Sequence, residues 1–149
     1  MKPGDSLPDP DSVLRYVRSK YYDRAANMID GNAFLSRPAE HGGPSFNWLE
    51  CFEGEPEAQI DAIRRLRRIK YEKHGRLARL NVGRTKAYLL GHSIDFVYDP
   101  LPEDAERGFS ADPSRAYLAG APEIDSPEGE AIGDLIVHCV VQVFPTEAE

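Results

Sequence analysis

Three residues around one glycine turn could hold an anion. Arg37, His41 and Ser45 recur four positions apart along SRPAEHGGPS, with HGGP between them. A guanidinium, an imidazole and a hydroxyl gathered at a glycine-rich turn suit a phosphate or carboxylate. Hydrolytic chemistry would need more: a nucleophile, a base and an acid to orient the base, which spacing alone does not assemble here. The chain has no GxGxxG, no Walker loop, no HExxH and no GxSxG. Its histidines, His41, His74, His92 and His138, are dispersed and read as surface or capping residues. The acid pairs Glu103–Asp104 and Glu123/Asp125 read as solvated loops. Cys51 and Cys139 sit in the apolar contexts LECFE and VHCVV and read as buried free thiols. No Cys/His spacing matches a zinc site, so neither a metal nor a cofactor is expected.

The second feature is a charge run. Arg64–Arg76 reads RRLRRIKYEKHGR, seven Arg and Lys in thirteen positions. Residues 64–86 carry +9 and the rest of the chain −16, giving −7 overall. Three readings compete: the wet face of a helix, a docking face for an acidic partner, and a phosphate grip on nucleic acid. Tyr71 is the one aromatic in the densest part. The aromatic interleaving of a single-strand binder is therefore missing. The asymmetry favours an acidic protein partner or self-association through Arg64, Arg65, Arg67 and Arg68, with nucleic acid less favoured.

These residues need elements to position them. In EPEAQIDAIRRLRRIKYEKHG, Ile60, Ile63, Leu66 and Ile69 recur near the helical period. Pro56 suits a first turn, acids lead and bases trail, so a helix is expected over 56–73. In SPEGEAIGDLIVHCVVQVF, Ser126 suits an N-cap and the apolar residues recur to Val143, so a second helix is expected over 127–143. Residues 12–22, SFNWLECF, RLARLNVG, SIDFVYDP and RAYLAGAP read as short strands, and TKAYLLGH as a short helical piece. Trp48 reads as core. Two helices among strands without βαβ alternation predict an α+β fold, a small mostly antiparallel sheet packed by two main helices.

A chain of 149 residues suits one globular domain, expected over 12–145. The Pro- and Asp-rich residues 1–11 and the tail 146–149 are expected to be disordered. Mean hydropathy is −0.50, there is no apolar leader, and the apolar run at 135–143 is too short to span a bilayer. A soluble, cytoplasmic protein without a membrane partner is expected.

Several segments carry a resemblance. Ala33, Phe34, Leu35, Arg37 and Pro38 form an AF-L-RP pattern, and Ser45, Asn47, Trp48 and Leu49 follow a glycine step. Asp99–Pro102 reads DPLP, and Asp112, Pro113, Ser114, Ala116 and Gly120 lie in a DPS-x-A segment. Together these resemble a group of small bacterial proteins with the same run of motifs, over most of residues 12–145. The resemblance implies no activity, fold or substrate. Where the group's segment has histidine, this chain has Arg115. A guanidinium stays protonated and cannot act as a base, though it can bind an anion. The leading expectation is thus a non-enzymatic binding or accessory module docking an acidic partner. The alternative is a small enzyme or nucleic-acid-processing protein with an anion site near Arg37, His41, Ser45 and Arg115.

Overall fold

The structure is a computed structural model that describes residues 1–40 and 42–147. Its frame is a six-stranded, fully antiparallel sheet in the order β6-β7-β4-β1-β5-β8. The strands are β1 Ser12–Val17, β4 Ser45–Trp48, β5 Arg76–Asn81, β6 Asp95–Tyr98, β7 Arg115–Ala119 and β8 Val140–Pro145. A separate small hairpin joins β2 Tyr22–Asp23 to β3 Met28–Ile29. Among the described residues three α-helices complete the α+β fold: α1 Pro56–Leu66, α2 Val82–Tyr88 and α3 Pro127–Cys139.

The two-residue period of the strands splits the apolar residues between two faces. Val13, Val17, Phe46, Ala78, Leu80 and Phe96 face one way and pack with Ile132, Ile136 and Cys139 of α3. Leu14 and Leu77 face the other way and pack with Ile60 and Ile63 of α1. A 3-10 turn, Gly31–Phe34, seats on α3 by glycine-to-glycine contact. A Cβ on Gly31 would lie 2.5 Å from the Gly133 carbonyl carbon.

Both long helices end earlier than the periodicity predicts. Helix α1 stops at Leu66, and Arg67 turns the chain in the left-handed region, φ 52° and ψ 31°. The next residues are drawn onto β1. The Tyr71 ring packs 4.8 Å from that of Tyr16, and the Glu72 amide donates to the Tyr16 hydroxyl at 2.9 Å. Ile69, expected in the buried stripe, is 48% exposed. Helix α3 stops at Cys139, and Val140–Pro145 becomes strand β8 on the outer edge of β5. The β-branched run VVQV favours the extended chain, and β5 supplies the hydrogen-bonding partner.

The expected loose lead-in is held against β6. Gly4 N donates to Tyr98 O at 2.8 Å, Leu7 N to Phe96 O at 2.9 Å, and Tyr98 N to Asp5 O at 2.8 Å. Leu7 is buried. Of the tail, Thr146 is buried and its hydroxyl donates to Glu72 O at 2.9 Å, while residues 148–149 lie outside the described residues. Among the described residues no helix is long and apolar enough to cross a membrane. Cys139 is buried and Cys51 half-buried, both free.

Candidate anion-binding cleft

The site forms where β1 and β4 part. They pair only at Val13↔Trp48 and Leu14↔Asn47. Beyond Leu14, β1 continues along β5 while β4 continues along β7. Arg15 fills the resulting gap. Its Nε donates to Ala33 O at 2.8 Å, and its Nη1 to Ser45 O at 2.9 Å and Glu40 Oε2 at 3.0 Å. Glu40 also accepts from the Ser45 amide at 3.0 Å. Burial pushes the Arg15 guanidinium below its ordinary pKa, Glu40 works against that shift, and the nearby Arg37 adds to it.

Above this gap lies a cleft of about 580 Å³. Register places Ser45, Asn47 and Arg115 on one face of the sheet, since Asn47 pairs with Arg115 and Ser45 with Tyr117. These residues and Tyr16 form the floor. The strap that follows α1 contributes Arg68, Ile69 and Lys70 to the lining, and Leu101 and Phe109 complete it.

Six cations and three carboxylates line the cleft. Arg15 pairs with Glu40, and Arg18 lies 3.7 Å from Glu72. Arg115 pairs with Asp99 and donates to Ser45 Oγ at 3.0 Å from Nη2 and 3.3 Å from Nε. Asp112 accepts from Asn47 Nδ2 at 3.1 Å, and from the Ser114 amide and hydroxyl at 3.0 and 2.7 Å. Among the described residues, Arg37, Arg68 and Lys70 have no carboxylate partner. Arg37 lies 4.9 Å from the Tyr21 ring centre. Arg68 lies 5.2 Å from that of Phe109, and its Nη1 donates to the carbonyls of Pro102, at 3.3 Å, and Ser110.

The cleft therefore gathers Arg37, Ser45, Arg115 and Arg68, which are far apart in sequence. His41 lies outside the described residues. The four arginines expected to share one docking face divide. Arg64 is half-buried, donating to Asp61 Oδ1 and Pro145 O, both at 2.7 Å, whereas Arg65 and Arg67 are exposed. Sequence reasoning missed Arg15, Asn47, Lys70 and Asp112. Arg15 left a signal, a lone charge inside the apolar strand VLRYV, although nothing local says where its guanidinium finds acceptors.

Among the described residues the arrangement offers donors to an anion and no activated nucleophile. Ser45 Oγ receives hydrogen bonds from a guanidinium, which cannot take its proton. The Ser114 hydroxyl does meet a carboxylate, Asp112, but Ser114 is fully buried, and this bond fixes the loop leading into β7. Among the described residues no group of three His, Cys, Asp or Glu could hold a metal ion. Comparison with protein-family models, with curated proteins and with solved structures found no match for this chain.

Proposed function

We propose that the protein binds a small organic anion in this cleft. The carboxylate or phosphate lies toward Arg37, Arg68 and Lys70, and the apolar part against Tyr16, Leu101 and Phe109. One observation carries the reading: three cations without carboxylate partners among the described residues line one cleft of about 580 Å³, in a chain of net charge −7. A volume of that order suits a small molecule, and mixed apolar and cationic walls suit an amphiphilic one. The Arg37 charge lowers the Arg15 pKa, and a bound anion would offset that repulsion. The reading is one of binding, because among the described residues the hydrogen bonds to Ser45 Oγ come from the Arg115 guanidinium, which cannot take its proton.

Thermal unfolding with three probes tests it. Phenyl phosphate is expected to raise Tm more than inorganic phosphate does, and benzylammonium is expected to leave it unchanged. In calorimetric titrations, Arg37→Ala and Arg68→Ala are each expected to weaken phenyl phosphate by about tenfold, the low end for a charge-assisted hydrogen bond. If neither anion raises Tm at millimolar concentration, the cleft reading fails.

A further inference from the structure

A second groove, of about 760 Å³, lies on the other side of the strap. Five cations from residues 64–70 line it, and Glu147 is its one carboxylate among the described residues. Ile69, Tyr71 and Phe109 add apolar surface. Ile69, Arg65 and Arg67 are all exposed, so the groove offers apolar surface and charge together. Such a strip matches carboxylates flanking an apolar side chain. It fits a nucleic acid poorly, because Tyr71 is half-buried against Tyr16 and leaves no row of free aromatic faces for stacking.

We propose that this groove docks an acidic peptide segment of a partner protein. Its carboxylates meet Arg65 and Arg67, and an apolar side chain covers Ile69. We also propose that docking is linked to the inner cleft through Arg68 and Lys70, which line both cavities and have no carboxylate partner among the described residues. An anion in the cleft neutralises this shared charge and weakens the peptide's hold. By reciprocity the peptide weakens the anion by the same factor. The linkage rests on the cleft reading; the docking does not.

Fluorescence anisotropy with a labelled peptide of alternating glutamate and leucine tests both parts. Arg65→Glu/Arg67→Glu is expected to weaken binding by about tenfold or more while leaving Tm unchanged, since exposed substitutions rarely disturb a fold. Should that variant unfold, Arg65→Gln/Arg67→Gln gives the same reading with a smaller loss. Docking is overturned if the variant binds as wild type does, or if a lysine–leucine peptide binds equally well. A single-stranded oligonucleotide of equal charge that binds more tightly overturns it in favour of nucleic acid. Concentration-dependent self-association abolished by the same variant overturns the partner in favour of a second copy of the chain. Saturating phenyl phosphate is expected to weaken the peptide by about fivefold. No change overturns the linkage and leaves docking standing. A failure of phenyl phosphate to bind is read separately from Tm and concerns the inner cleft alone.

Discussion

Arg15 and Glu40 meet at 3.0 Å in the gap that opens between β1 and β4. The arginine side chain is 6% exposed and the glutamate 19%. This contact does two jobs. It satisfies the carbonyls of Ala33 and Ser45, and it sets one end of the cleft floor. Removing the arginine would strand the Glu40 carboxylate and leave both carbonyls short of a donor. Arg15→Met is therefore expected to cost about 3 kcal/mol, the lower end for breaking a buried pair because Glu40 keeps some contact with water. Urea unfolding measures it. Arg15→Met/Glu40→Gln is expected to recover part of the loss, because it removes the stranded charge.

The seat of the Gly31–Phe34 turn on α3 is equally specific. A methyl group at Gly31 would press on backbone atoms of Gly133 at 2.5 and 2.8 Å, and backbone cannot swing aside. Gly31→Ala is expected to lower stability by about 2 kcal/mol through overpacking. The midpoint of urea unfolding should fall, with little change in slope if the unfolded state is unaltered. A wild-type midpoint would show that the turn rides higher on α3 than described.

Tyr71 gives an alkaline signature. Burial first, then the negative charge of Asp112, pushes its phenol from 10.0 up to about 12. The charged form is disfavoured in the folded protein, so the folded pKa exceeds the unfolded one. The associated stability is fully present below pH 10 and is lost as pH rises through about 12. Phenolate absorbance should show a late-titrating tyrosine that vanishes in Tyr71→Phe. That variant should also lose less stability than wild type between neutral and strongly alkaline pH. Titration of all the tyrosines together near pH 10 would contradict the burial of this ring.

Much of the architecture was legible because it rests on local period and punctuation. The five strands expected in the body of the chain are β1, β4, β5, β6 and β7, and Ser126 caps α3 as its position suggests, accepting from Gly129 N at 3.0 Å. What misled was periodicity that ran past an element's end. Ile69 continues the α1 stripe in sequence, yet Tyr16 and β5 decide where the chain goes, and both lie far from it along the chain. Val140 and Val143 continue the α3 stripe, yet β5 needs a neighbour on its outer edge. Trp48 reads as core but is half-buried, its indole donating to Asp11 Oδ2 at 2.9 Å. The candidate site was legible in fragments. The types Arg37, Ser45 and Arg115 pointed to anions, while their meeting depends on the β4–β7 register, which no single segment encodes. Whether a cation has a carboxylate partner is likewise a property of the fold.

The residues ahead of β1 have a practical meaning for anyone handling the protein. Gly4, Asp5 and Leu7 occupy the backbone of Phe96 and Tyr98 on one margin of the sheet. A shortened chain starting at residue 8 would bare that margin, a template on which other chains can stack. Trimming this unpromising, proline-rich stretch to tidy a sample would thus open a backbone edge to association.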